Sequence, residues 1–167
     1  MKAAPSPDLD LCLQLDDVAV PPEHRKVLRP SQLKKWVKYA LVPQAAGRPS
    51  GKNAQTTEIT VRVVGLAEGR QLNRQFRGQN HPTNVLTFDF GSPHGLSADL
   101  VLCAPVVQRE AVAQGKSLKA HYAHLLIHGT LHAQGYEHDT CAQEAEEMEA
   151  LEMLLMLSLG FDNPYQD

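Results

Sequence analysis

The residues best suited to chemistry in this chain are its histidines, since five of the eight lie between His121 and His138. His128 and His132 are four residues apart, a spacing that places both rings on one face of a helix. Gly135 then allows the chain to turn, so that His138 can follow. Three such ligands with a fourth position left open are typical of catalytic zinc sites. We therefore expect one Zn²⁺ ion per chain, bound by His128, His132 and His138.

A second arrangement of the histidines stays open at this point. His124 and His128 are also four residues apart, and His121 lies on a similar face. Some of these side chains could equally be structural. We favour the set that ends in His138, because only there does the helix end one turn after its second ligand. His124 and His121 are then expected in the wall of a cleft, where His124 contacts substrate.

The metzincin proteases share this histidine spacing, in the motif H-E-x-x-H-x-x-G-x-x-H. Their general-base glutamate directly follows the first histidine. In this chain that position is occupied by Gly129, so the predicted site lacks the carboxylate that a protease needs. A metallopeptidase therefore remains only as an alternative function.

A basic stripe supplies a second candidate for chemistry. Arg70, Arg74 and Arg77 are spaced so that they share one face of a helix. A solvated surface stripe is the ordinary explanation, but Arg77 stands at the helix exit, where a guanidinium could reach into a cleft. Such groups suit phosphate backbones, so beside a hydrolytic metal we expect the three arginines to bind the substrate of phosphodiester cleavage. Because only 5% of residues are aromatic, we do not expect base stacking to dominate.

The hydrophobic pattern predicts the scaffold that must position these residues. Apolar alternation predicts four strands, at 9–15, 59–63, 86–90 and 100–103. Helical spacing and caps predict five helices, at 31–41, 66–76, 105–114, 118–134 and 140–159.

These elements predict an α+β fold in a single domain over residues 1–167. The short link between the last two strands favours an antiparallel hairpin, whereas the other connections carry helices. The expected architecture is a small mixed sheet of about four strands packed with about five helices, with the metal-site helix lining a cleft. Pro21 and Pro22 are expected to end the first strand. Residues 43–56 are rich in glycine, proline and small residues, so we expect them to form a mobile loop.

Composition excludes several classes of protein. With 43% hydrophobic and 21% charged residues, the chain is neither disordered throughout nor membrane-spanning. It has no apolar segment of signal-peptide type at its start, and three cysteines give no disulfide framework, so we expect a cytoplasmic protein. The net charge of −3 is unevenly distributed, because residues 139–152 are strongly acidic and the rest of the chain has more basic than acidic residues. A nucleic-acid partner is therefore compatible with the net charge.

Several stretches resemble the YbeY family of bacterial metal-dependent endoribonucleases, which act in ribosomal RNA maturation. The matching stretches are LNRQFRG at 72–78, TNVLTFDF at 83–90, HLLIHGTLHAQGYEHD at 124–139, EAEEMEALE at 144–152 and LGFDNPY at 159–165. The chain departs from the family at Ala98, where glycine is common, and mildly at Thr87 and Glu137.

This resemblance implies that His128, His132 and His138 bind zinc and that Arg77 is functionally important. It also implies a zinc-dependent, single-strand-specific endoribonuclease that acts in 16S rRNA 3′-end maturation and ribosome quality control, with the small ribosomal subunit as partner. A metallopeptidase and a non-catalytic ribosome-binding factor with structural zinc are the alternatives.

Overall fold

The structure is a computed structural model that describes residues 8–41, 56–90, 95–136 and 141–165. It has one mixed sheet of four strands. The strands are β1 (Asp8–Leu15), β2 (Thr56–Val64), β3 (Val85–Asp89) and β4 (Gly95–Cys103), in the order β1-β2-β4-β3. β1 and β4 both pair with β2 in parallel, whereas β3 pairs with β4 antiparallel and forms an edge of the sheet. The predicted α+β class, the mixed sheet and the β3–β4 hairpin are confirmed.

Six helices pack with this sheet in the described ranges. They are α1 (Pro22–Val27), α2 (Pro30–Ala40), α3 (Leu66–Arg77), α4 (Ala104–Ala113), α5 (Leu118–Ala133) and α6 (Ala142–Ser158). The sequence prediction lacked only α1. The first strand already ends at Leu15, before Pro21 and Pro22, and Pro22 instead suits the first turn of a helix, where its missing N–H costs nothing. The loop predicted at 43–56 lies outside the described residues except for Thr56, which begins β2.

The helix with the histidines, α5, lies at the centre of the molecule. Its side chains are apolar on several faces, and every residue from 121 to 127 is buried. Ser117 begins the helix by accepting a hydrogen bond from the N–H of Ala120 at 3.1 Å, as the sequence predicted. Gly129 lets the helix approach the sheet, since a Cβ atom there would lie 3.1 Å from Leu100 Cδ2.

The last helix, α6, begins two residues later than predicted. Its N-terminal cap is Cys141, whose Sγ accepts a hydrogen bond from the N–H of Glu144 at 3.4 Å. Thr140 lies outside the described residues. The inner face of α6 carries Met148 and Leu155, which are buried, and the same face also carries a buried carboxylate, Glu152. None of the helices in the described parts of the chain is long and apolar enough to cross a membrane.

Candidate active site

A cleft of about 1160 Å³ lies along the β3 edge of the sheet. One wall comes from the end of α3, at Phe76 and Arg77, and the base comes from β3. The cleft is also lined by histidines of α5 and by Pro164 and Tyr165, which follow α6. Four histidines lie on α5, and all of them line the cleft: His121, His124, His128 and His132.

The structure brings His128 and His132 together as the helical spacing predicts. Their Nε2 atoms are 3.0 Å apart and their ring centroids 4.5 Å apart. Two nitrogens bound to one tetrahedral zinc ion lie about 3.4 Å apart, so this pair of imidazoles fits a transition metal after a small outward shift. His138, the third predicted ligand, lies outside the described residues. Among the residues that the structure does describe, no group of three His, Cys, Asp or Glu side chains is placed to hold a metal ion.

Glu152 links three side chains of the site, and the sequence interpretation missed it. Its Oε1 accepts hydrogen bonds from His128 Nδ1 at 2.7 Å and from His124 Nε2 at 3.2 Å. Its Oε2 accepts one from the hydroxyl of Tyr165 at 2.5 Å. The residue is only 1% exposed. Because His128 donates through Nδ1, its Nε2 carries the electron pair that a metal would take.

The charge of Glu152 is maintained despite its burial. Burial alone raises the pKa of this carboxyl, but the hydrogen bonds from His124, His128 and Tyr165 outweigh that effect and hold the pKa at about 2. Burial, together with the neighbouring carboxylate, raises the pKa of Tyr165, which therefore stays a hydroxyl donor. The site thus has a permanently ionised carboxylate behind His128.

His124 is turned toward Glu152, whose Oε1 it shares with His128. Its ring centroid lies 6.4 Å from that of His128 and 5.3 Å from that of Tyr165. The rings of His124 and His128 are therefore further apart than those of His128 and His132.

A second polar cluster borders the cleft, which His121 and Asn84 line. His121 Nε2 and Asn84 Nδ2 both hydrogen-bond Glu110 Oε1, at 2.9 Å and 3.0 Å. Burial lowers the pKa of His121. Burial also lowers the pKa of Lys116 nearby, whose Nζ donates a hydrogen bond to the carbonyl of Pro164 at 2.8 Å. No spacing in the sequence points to this cluster, because its members come from different elements.

The three arginines of the predicted basic stripe have different surroundings. Arg77, the last residue of α3, is exposed and lines the cleft. The helix ends there because Gly78 adopts a φ of +70°. Arg70 donates through Nε to Asn80 Oδ1 at 2.9 Å, and neither Arg70 nor Arg74 lines the cleft.

The sequence and the fold are similar to those of known proteins. The model of a family described as endoribonuclease YbeY matches residues 21–160. A protein named endoribonuclease YbeY from Delftia acidovorans is 52% identical over 157 residues, which cover 94% of this chain and 95% of that protein. One of the same name from Polaromonas sp. strain JS666 is 50% identical over 161 residues, covering 96% and 97%. The solution structure of TM1509 from Thermotoga maritima aligns with 93% of this chain and 99% of its own, at 21% identity and a TM-score of 0.49.

Proposed function

Because the chain belongs to the YbeY family of endoribonucleases, we propose that it is a zinc-dependent enzyme that cuts single-stranded RNA. The observation that carries the proposal is the pair of Nε2 atoms of His128 and His132, 3.0 Å apart and in the same cleft as Arg77. The proposed substrate is ribosomal RNA of the small subunit, cut during 16S 3′-end maturation and ribosome quality control. The proposed compartment is the cytoplasm, where the thiols of Cys12, Cys103 and Cys141 stay reduced.

The chain's own residues divide the work of holding a metal. His128 and His132 would bind it through Nε2, with His138 as the third ligand. Zn²⁺ held there would act as a Lewis acid toward the phosphate. Glu152 fixes the ring of His128 in the orientation and tautomer that binding needs.

Arg77 is the group proposed to hold the scissile phosphate. A guanidinium is always charged and presents a planar fork that can bind two phosphate oxygens at once. Since Arg77 and the histidines line the same cleft, a phosphate bound there could be held by Arg77 and by a metal on the histidines together. Arg77 would then stabilise the charge that grows on the phosphate during cleavage. Arg70 and Arg74, outside the cleft, are proposed to contact phosphates further along the strand, and His124 the ribose or base nearest α5.

The geometry at Gly129 disfavours the metallopeptidase alternative. A Cβ atom at this residue would lie 3.1 Å from Leu100 Cδ2 and 3.3 Å from Thr87 Oγ1. A glutamate side chain would therefore start in the contact between α5 and the sheet, where there is no space for it. The non-catalytic alternative is disfavoured by the family, whose members are named as endoribonucleases.

Cleavage of labelled single-stranded RNA by the purified protein, followed on a gel, tests the proposal. We expect cutting that a chelator stops and added Zn²⁺ restores. His132→Ala should lose both zinc and cutting, whereas His81→Ala, a change at an exposed histidine outside the cleft, should keep both.

Three other outcomes would contradict the proposal. Cutting that persists in chelator would exclude the zinc requirement, and an intact RNA would exclude the nuclease. Chelator-sensitive turnover of unstructured peptides, abolished in His132→Ala, would support the peptidase instead.

A further inference from the structure

Two of the chain's four phenylalanines line the cleft, although aromatic residues are few in this sequence. Phe76 lies in the last turn of α3 and Phe88 lies on β3. Their ring centroids are 4.9 Å apart, with the ring planes at 72°. The two rings therefore form one edge-to-face pair at the wall of the cleft.

The two rings differ in how they are supported. Phe88 is half-buried and packs against a small apolar cluster, whose buried members are Val64, Leu86 and Val101. Phe76 is 56% exposed, so burial explains little of its presence at this position. The supported ring thus holds the exposed one in place, and more than half of the surface of Phe76 is left toward solvent.

Arg77 follows Phe76 directly and lines the same cleft. A planar apolar surface beside a phosphate-binding guanidinium matches one nucleotide, which joins a planar base to a phosphate. We propose that Phe76, supported by Phe88, is a stacking site for one unpaired base of the RNA whose phosphate Arg77 binds. This inference rests on the proposed endoribonuclease function and deepens it.

Such a site would select single strands by a physical mechanism. A base in a double helix has both faces covered by its neighbours, so it must leave the stack before it can lie on Phe76. Every base has a π-face, so the site would tolerate many sequences. Base stacking, which composition alone argued against as a dominant contribution, is thus concentrated at a single position.

Single-turnover cleavage by the metal-loaded protein, with the enzyme concentration varied, tests the stacking site. Phe76→Leu keeps an apolar side chain but removes the planar ring. We expect its half-saturating enzyme concentration to rise on the order of 10-fold, as for loss of one stacked base, while the maximal rate changes little. Phe76→Trp should recover most of this loss. Leu66→Ala is the matched control, because Leu66 is 48% exposed at the opposite end of the same helix and outside the cleft.

RNAs with one abasic nucleotide at successive positions make the test specific. With the wild-type protein, an abasic nucleotide at one of these positions should raise the half-saturating enzyme concentration about as much as the Phe76→Leu change does. With Phe76→Leu, an abasic nucleotide at that position should not raise the half-saturating enzyme concentration further, because the ring and the base contribute to binding only together.

If the abasic nucleotide weakened RNA binding equally in Phe76→Leu and in the wild type, the stacking site would be overturned. Normal cutting by the wild type in the same experiment would leave the proposed function intact. A Phe76→Leu protein that binds every RNA as tightly as the wild type would likewise overturn the stacking site and would indicate that the ring contacts a protein partner. A wild-type protein that cuts no RNA would overturn the proposed function and the stacking site with it.

Discussion

Replacing Arg77 should slow cleavage without loss of zinc, whereas replacing His128 or His132 should remove the zinc as well. Arg77 is exposed and lies on α3, a different helix from the histidines of α5, so Arg77→Ala should keep the zinc content and melting temperature of the wild type. Cleavage should slow by on the order of 10²–10³, the usual cost of losing one transition-state donor. Arg77→Lys should restore little, since an ammonium cannot reproduce the fork.

Single-turnover rates at saturating enzyme, measured beside zinc content and thermal melting, check this prediction. A near wild-type rate for Arg77→Ala would remove Arg77 from catalysis. So would a slow rate that follows loss of zinc.

Glu152 should control how tightly zinc is held. Glu152→Gln removes the charge behind His128 with little change in shape, and loss of such a partner typically weakens metal binding about 10-fold to 100-fold. Tyr165→Phe should have a smaller effect, because Tyr165 hydrogen-bonds the other carboxylate oxygen. Competition with a chromogenic chelator measures the affinity, and Glu146→Gln, at an exposed residue of the same helix, is the control. Equal zinc affinity in Glu152→Gln and Glu146→Gln would contradict the prediction.

The residues of the site differ in how far the sequence could predict them. The convergence of His128 and His132 follows from helical spacing, which needs no tertiary contact. The role of Glu152 does not, because it belongs to an acidic stretch that composition assigns to a solvated surface. A usable signal does exist: Glu152 lies four residues after Met148 and three before Leu155, on the inner face of α6.

At the scale of elements, Gly129 sets the distance between α5 and the sheet. Gly129→Ala adds helix propensity of about 1 kcal/mol, but the new methyl group would meet Leu100, which is fully buried and cannot move away easily. Since overpacking costs about 1–3 kcal/mol, we expect the free energy of unfolding to fall by about 1 kcal/mol.

Urea unfolding of Gly129→Ala measures this change. In a Leu100→Val background the loss caused by Gly129→Ala should be smaller, because the atoms that the methyl group meets are gone. Stability equal to the wild type in Gly129→Ala would show that the contact can relax.

His24, in the helix that the sequence prediction lacked, ties α1 to two other helices. Its Nδ1 pairs with the hydroxyl of Tyr122 on α5 at 2.6 Å, and its Nε2 with Gln108 Oε1 on α4 at 2.9 Å. Burial lowers the pKa of His24 below its ordinary value of 6.5.

The folded protein should therefore lose stability as the pH falls below about 6.5, because the unfolded chain then binds a proton that folded His24 does not. His24→Gln should make the free energy of unfolding less dependent on pH in this range, by at most about 1.4 kcal/mol per pH unit. Unfolding by urea at several pH values checks this, and parallel curves for the two proteins would contradict it.

At the scale of the whole molecule, the sequence predicts which segments form strands and helices better than it predicts which strands pair with each other. Alternation marks β1 and β2 as strands, and the short connection pairs β3 with β4. Nothing in the alternation states that β2 lies between β1 and β4, with Ile59 opposite both Leu11 and Ala98. The cleft depends on this order, because it leaves β3 at the edge, next to α3 and α5.

The position of Glu152 in the chain also sets when the site is assembled during protein synthesis. A ribosome adds Arg77 and the histidines of α5 before it adds Glu152 and Tyr165, since translation proceeds toward higher residue numbers. A nascent chain that has grown only to Leu151 holds the histidines without the carboxylate that orients two of them. A protein that cuts RNA thus lacks its complete site until Glu152 has been added, while it is still attached to the RNA-rich machine that makes it.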